Sequence, residues 1–126
     1  MSRILYGKPV AEAMREELRY RIAALRARGV EPCLSLVRAG EDPGSLSYER
    51  STLRVCEKMG VAVRCDTFPG GSGTPVLTER LRVLGTDNSV HGCLLLRPLP
   101  AHMDVLVLLS FLFTKIIFFR LFAIYQ

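Results

Sequence analysis

Val10, Met14, Leu18, Ile22 and Leu25 recur at steps of three and four among charged residues, and Gly29 follows. This spacing predicts an amphipathic helix over residues 9–28, opened by Pro9 and stopped by the glycine. Pro32 then introduces Cys33, Leu34, Ser35, Leu36 and Val37, an apolar run of strand length that ends at Gly40. Asp42 suits an N-cap and Pro43 the first helical position, where a missing N–H costs nothing. The helix they open is expected to reach about Met59 and stop at Gly60. Residues 61–65 form a second strand candidate, and Pro69, Gly70, Gly71, Ser72 and Gly73 read as a flexible connector. Thr74 and Pro75 repeat the cap-then-proline start, with Val76, Leu77, Leu81 and Leu84 as the buried stripe of a third helix. Asp87, Asn88 and Ser89 make a turn, and residues 90–96 form a third strand.

Helices alternating with apolar strands are the order expected of a three-layer α/β domain, a mainly parallel sheet with covering helices. Continuous runs such as Cys93 to Leu96 fit strands buried on both faces. Ligands of such sheets collect at the carboxyl ends of the strands, so the segment from Gly40 to Tyr48 and the segment from Arg97 to Pro100 are expected to meet in one cleft.

The composition changes abruptly after Asp104, which divides the chain into a domain over residues 1–104 and an apolar, helix-like tail over residues 105–126. The tail holds five of the six phenylalanines and no acid, and its only charges are Lys115 and Arg120. A buried terminal helix, a membrane anchor and a non-native end from truncation, splicing or a shifted frame all fit this composition. The anchor is the less favoured reading, because each interior cation costs roughly 2.5–3.5 kcal/mol at a bilayer centre.

A length of 126 residues accommodates one domain with a real core. The 17 basic and 12 acidic residues leave a net charge of +5, but the arginines alternate with glutamates, as in Arg15, Glu16, Glu17 and Arg19. With no aromatic residues interleaved among them, this is a solvated helix face, and nucleic acid is not an expected partner. Cys33, Cys56, Cys65 and Cys93 show no C-x-x-C pairing and no histidine at ligand spacing, so no metal site is expected. Cys33, Cys65 and Cys93 lie in or beside strand-like runs and read as small buried hydrophobes of a reducing compartment. The start carries no signal-peptide pattern, which makes a cytoplasmic setting the expectation. His91 and His102 have no spaced partner, so structural or surface roles are expected of them.

Several motifs stand in a collinear order. They are Gly7-Lys8-Pro9-Val10-Ala11, then Gly40-Glu41-Asp42-Pro43 with Ser45 and Tyr48, then Cys56-Glu57 with Gly60, then Val90-His91-Gly92, and last Pro98-Leu99-Pro100. In this order the chain resembles the methylenetetrahydrofolate dehydrogenase/cyclohydrolase family in its N-terminal, folate-binding catalytic domain, over residues 4 to about 104. The resemblance implies NADP-linked oxidation of 5,10-methylenetetrahydrofolate, with NADP held by a Rossmann domain that has no counterpart motif here, and a homodimeric full-length protein. The later Asp-Val-Asp-Gly motif of the family would also fall beyond the point where the tail begins.

The resemblance places the catalytic positions at Tyr48, Thr52 and Leu96. A substrate-binding set follows on the helix, at Tyr48, Glu49, Arg50, Ser51 and Thr52, and at the strand end, at Leu95, Leu96, Arg97 and Pro98. Tyr48 would line the pterin pocket, since a ring with a polar tip can both stack and hydrogen-bond. Thr52 stands where the family carries a lysine that moves protons in the cyclohydrolase step, and Leu96 where it carries a glutamine. A hydroxyl does not titrate near neutral pH, so both replacements weaken the cyclohydrolase assignment. Arg97 either supplies a charge to the folate's pteridine or glutamate tail, or points to solvent. A second reading is a non-enzymatic folate-binding or interaction remnant whose tail associates with a membrane or a partner.

Overall fold

The computed structural model describes residues 2–113; Met1 and residues 114–126, with the expectations made for that part of the tail, lie outside the described residues. Seven elements follow in order: α1 (Gly7–Ala27), β1 (Cys33–Ala39), α2 (Pro43–Met59), β2 (Ala62–Phe68), α3 (Thr74–Thr86), β3 (Gly92–Leu95) and α4 (Val105–Phe113). The three strands form a parallel sheet in the order β2-β1-β3. Cys33 to Ala39 pair in register with Ala62 to Phe68, and Leu34 to Val37 pair with Gly92 to Leu95. Two further bonds extend the second ladder, from His91 N to Cys33 O at 2.9 Å and from Leu96 N to Val37 O at 2.9 Å.

The order dictates the layers. The connection from β1 to β2 moves one way across the sheet and that from β2 to β3 moves back past β1, so right-handed crossovers put α2 and α3 on opposite faces. Alternation along β1 agrees. Cys33, Val37 and Ala39 join Leu77, Leu81, Leu84, Val90, Cys93, Met103 and Leu108 in one core beneath α3 and α4. Arg38 turns to the other face, where it meets Glu49 of α2.

Local signals explain most boundaries. The Asp42 carboxylate accepts the Ser45 N–H at 3.0 Å, and Gly60 closes α2 in the left-handed conformation at φ 78°. Arg26 of α1 donates to the Gly60 carbonyl at 2.7 Å, which fastens the end of α2 to α1. Elsewhere the pattern is exceeded or redirected. β2 runs three residues past Cys65, because Asp66, Thr67 and Phe68 continue the pairing with Val37, Arg38 and Ala39. Thr74 is not the cap of α3. It is the first helical residue, and its hydroxyl accepts the Asp104 N–H at 3.0 Å.

Several expected burials fail, one of them for a topological reason. β2 is an edge strand, so Cys65 is exposed, whereas Cys33, Cys56 and Cys93 are buried free thiols. Val76 is likewise exposed, and only Leu77, Leu81 and Leu84 carry the stripe of α3. On α1 the stripe is buried at Ile22 alone, and Val10, Met14 and Leu18 remain 60%, 53% and 46% exposed.

α4 packs on the domain through Leu108 and Leu109. The Asp104 carboxylate accepts the N–H groups of Leu106 and Val107 at 3.1 and 3.2 Å, which caps α4, and Leu108 is wholly buried against the α3 core. No helix among the described residues is long and apolar enough to cross a membrane.

Leu108→Ala should therefore cost about 2–5 kcal/mol, the range for truncating a buried leucine. Urea unfolding measures this, and a loss below about 0.5 kcal/mol would mean that α4 does not share the core. A second expectation concerns Cys93, whose thiol is pushed up from 9.0 to about 12 by burial, with the Asp66 carboxylate adding to the rise. The folded state keeps this proton where the unfolded chain gives it up. The resulting stability is complete below about pH 9 and is lost as pH rises toward 12. Urea midpoints across alkaline pH should fall, and Cys93→Ala should flatten that fall.

Candidate active site

β1 and β3 are neighbours whose outgoing connections leave on opposite faces, to α2 from β1 and toward α4 from β3. Such a divergence opens a crevice at the carboxyl ends of the two strands. One side of it is the turn from Ala39 to Asp42 and the start of α2; the other is the segment from Leu96 to Pro100, which contains the cis peptide Arg97-Pro98. The Ser45 hydroxyl, buried in the first turn of α2, donates to the Arg97 carbonyl at 3.0 Å. That bond joins the two expected motifs directly.

The floor of this region is polar at one point. Arg38, at the end of an otherwise apolar strand and only 8% exposed, donates through Nε to Glu49 Oε2 at 2.8 Å and through a terminal nitrogen to the Gly40 carbonyl. A buried guanidinium needs such partners, and the two bonds tie the end of β1, the turn after it and the second turn of α2 into one unit. Gly40 takes φ +82°, a left-handed conformation that a side chain would strain, whereas an added Cβ would meet the Gly70 Cα only in ordinary contact at 3.7 Å. Its N–H donates to the Phe68 carbonyl at 2.9 Å. A cavity of about 580 Å³ lined by Gly40, Glu41, Thr67, Phe68, Pro69 and Gly70 lies on this side of β1.

The expected residues distribute as follows. Ser45, Glu49, Thr52, Cys56 and Met59 form the inward row of α2, at steps of three and four. Tyr48 precedes Thr52 by one turn and is 55% exposed, so its ring lies outside the core. Thr52 is half-buried, Glu49 is engaged by Arg38, and Arg50 and Ser51 lie on the outer side of the helix beside Ser47 and Arg54. At the strand end Leu96 is buried, at 7% exposure, and Leu95 packs against the core under α3. Arg97 and Pro98 are exposed.

Ser45 and Arg38 join this set from the structure. Ser45 belongs to the motif that opens α2, but its tie to Arg97 requires knowing that the two segments meet. Arg38 had a signal of its own, a cation in an apolar strand with an acid on the inward row of the next helix.

Cys65 sits opposite Leu36 on the α2 side of β2. Partial burial first, and then the Glu49 carboxylate, hold its thiol above the ordinary value, so it is poorly suited to act as a nucleophile. The histidines bond within the scaffold: His91 Nδ1 accepts the Cys33 N–H at 3.1 Å, and His102 Nε2 meets the Ser72 carbonyl at 2.7 Å. The second contact, with Ser72 N donating to Pro69 O at 3.0 Å, links the glycine-rich loop to the segment before α4.

That loop follows β2 and opens α3, the place where a dinucleotide phosphate binds in other α/β proteins. The residues do not fit one. Pro75 removes an N–H from the first turn, the Val76 N–H is bonded to Gly73 O at 3.2 Å, and the Ser72 N–H is taken by Pro69. No cluster of three or more metal-ligating side chains occurs among the described residues.

A family model described as tetrahydrofolate dehydrogenase/cyclohydrolase, catalytic domain, matches residues 5–112. The bifunctional protein FolD of Bordetella avium is 41% identical over 103 residues, which cover 82% of this chain and 36% of that protein. FolD of Variovorax paradoxus is 38% identical with the same coverage. Among solved structures, the FolD methylenetetrahydrofolate dehydrogenase/cyclohydrolase of Campylobacter jejuni superposes with a TM-score of 0.83 at 28% identity, over 87% of this chain and 39% of that one. The Trypanosoma brucei enzyme, solved with NADP cofactor and an inhibitor, gives 0.79 at 25% identity, over 90% of this chain and 39% of that one. The chain thus spans a little over a third of the length of the curated relatives it matches. With a family model matched over most of its residues and a fold shared with these solved relatives, the chain belongs to the tetrahydrofolate dehydrogenase/cyclohydrolase family, in the region of its catalytic domain.

Proposed function

We propose that the crevice between β1 and β3 binds a reduced folate, as part of a methylenetetrahydrofolate dehydrogenase of one-carbon metabolism, and that these 126 residues bind without turning over. The observation that supports this reading is the Ser45–Arg97 hydrogen bond, which joins both motifs across the crevice one turn before the exposed Tyr48. There the Tyr48 ring stacks on the pterin and its hydroxyl bonds a polar edge. Arg38 and Glu49 hold that turn of α2 against the sheet, so the ring has a fixed base. Arg97 stands exposed at the mouth, with a guanidinium available to an anionic group of the ligand.

Proton transfer is where this chain falls short. Thr52 has no proton to exchange near neutral pH, and Leu96 offers apolar surface where an amide would hydrogen-bond. The scaffold that orients a folate is therefore retained while the cyclohydrolase step loses both polar groups. Hydride transfer to NADP, which the family implies, has no seat for the nucleotide among the described residues, so the proposed role of this chain in the dehydrogenase reaction is to hold and orient the folate. Free thiols at all four cysteines suit the cytoplasmic setting that belongs to this reading.

Titration calorimetry with tetrahydrofolate should detect binding, and Tyr48→Ala should weaken it about 5- to 20-fold, the value of a lost stacking ring and hydroxyl. Unchanged affinity would remove Tyr48 from the site, and no binding by the wild type would reject the folate reading. With 5,10-methylenetetrahydrofolate and NADP present, absorbance at the NADPH band should stay flat. Hydrolysis of 5,10-methenyltetrahydrofolate should run at the uncatalysed rate in the wild type, while Thr52→Lys with Leu96→Gln raises it at least about tenfold.

A further inference from the structure

β2 presents the longest free edge of the sheet. All seven of its residues pair with β1 in unbroken register, without a proline or a bulge, and no strand among the described residues pairs with its other side. The bonds at its two ends fix which backbone groups face outward. Ala62 N donates to Pro32 O and Phe68 O accepts from Gly40 N, both at 2.9 Å, so residues 62 and 68 turn their backbone toward β1. Backbone groups alternate in direction along a strand, which leaves the N–H and C=O of Val63, Cys65 and Thr67 directed away from the sheet. Such a row is a template for a further strand.

The side chains select the occupant. Arg64 and Asp66 flank Cys65 symmetrically with opposite charges, both on the α3 face of the strand. Each is held in place within its own chain, Arg64 by Asp87 at 3.1 Å and Asp66 by Arg80 at 2.9 Å, and the Arg64 side chain is still 46% exposed. A strand complementary to this edge must set an acid opposite Arg64 and a cation opposite Asp66. Run antiparallel, β2 itself does so.

We propose that β2 pairs antiparallel with β2 of a second copy of this chain, in the register centred on Cys65, so that two three-stranded sheets become one. In this register every outward residue falls at a hydrogen-bonded position. Cys65 exchanges two bonds with the partner's Cys65, Val63 two with the partner's Thr67, and Thr67 two with the partner's Val63. Arg64 and Asp66 lie opposite the partner's Asp66 and the partner's Arg64 at the closer, non-hydrogen-bonded positions, and two opposite-charge pairs form on the α3 face. Other registers fail. Centring the pair on Arg64 or on Asp66 sets like charges face to face, and centring it between residues sets outward backbone groups opposite groups already bonded to β1. The contact is two-fold symmetric and closed. Because the two copies of β2 run in opposite directions, the two crevices open at opposite ends of the joint sheet.

In reducing buffer, sedimentation equilibrium of the full 126-residue chain at about 100 μM should show a dimer. Thr67→Pro removes an outward N–H and leaves the β1 ladder intact, so it should weaken dimerisation at least about tenfold through the two bonds lost per dimer. Circular dichroism of this variant separates a lost interface from a lost fold. Cross-linking reads the register without the proline. Paired residues at hydrogen-bonded positions have Cα atoms about 5.5 Å apart, within the span of a disulfide. Oxidised glutathione accepts two electrons and two protons from the paired Cys65 thiols, leaving one intermolecular disulfide and two molecules of reduced glutathione. Cys33, Cys56 and Cys93 are buried and do not compete. The wild type should therefore run as a covalent dimer on a non-reducing gel. In chains carrying Cys65→Ser, a mixture of Val63→Cys and Thr67→Cys should cross-link, whereas Val63→Cys alone should not, because its thiols stand four residues, about 13 Å, apart along the paired strands. A monomer in reducing buffer, a dimer indifferent to Thr67→Pro, or cross-linking of Val63→Cys alone as fast as of the mixture overturns the proposal.

Discussion

The two-sided pairing of β1 organises everything else in the molecule. Seven residues of this strand bond to β2 and four to β3, so among the described strands it alone has no free edge, and the chain must leave its end toward one face while the end of β3 leaves toward the other. A crevice between the two carboxyl ends is then a geometric necessity rather than a specialised feature. What the side chains add is closure. Ser45 and Arg97 are joined across the gap, and Gly40, in the left-handed conformation at φ +82°, turns the chain from the end of β1 toward α2.

Arg38 shows how one buried charge organises two surfaces. Within the domain it couples the end of β1 to α2 and to the Gly40 carbonyl, a set of bonds that a desolvated cation requires. By taking Glu49 it also withdraws an acid from the crevice-side helix. The polarity of the rim, with Tyr48 and Arg97 exposed and Glu49 neutralised, follows from that pairing as much as from the motif residues themselves.

Features governed by neighbours along the chain are legible in the amino-acid sequence alone. The start of α2 at Asp42 and Pro43, its stop at Gly60, and the stripe of Leu77, Leu81 and Leu84 depend only on local capping and periodicity. The parallel α/β class follows from the alternation of such segments, and the two motifs can be assigned to one cleft because carboxyl ends of parallel strands lie together. Features governed by strand order are not legible so directly. Cys65 and Cys93 both sit in short strand-like runs, yet Cys65 is exposed on the edge strand β2 while Cys93 is buried in the core beneath α3. Thr74 carries a convincing cap signature, and its hydroxyl serves Asp104, thirty residues away, instead of its own helix. Of the site, Tyr48 and Thr52 share a helix and are visible as a pair, whereas the Ser45–Arg97 and Arg38–Glu49 contacts depend on tertiary placement.

The exchange between Thr74 and Asp104 bears on what can follow this domain in a chain. Asp104 gives its N–H to α3 and its carboxylate to the first turn of α4, and Leu108 then fills the remaining place in the core. Among the described residues, the fold thus asks of its continuation a segment that can begin a helix after Asp104 and present Leu108 and Leu109 to the core. The junction is accordingly a point at which the start of one helix, the cap of the next and the core beneath both are held by a single aspartate.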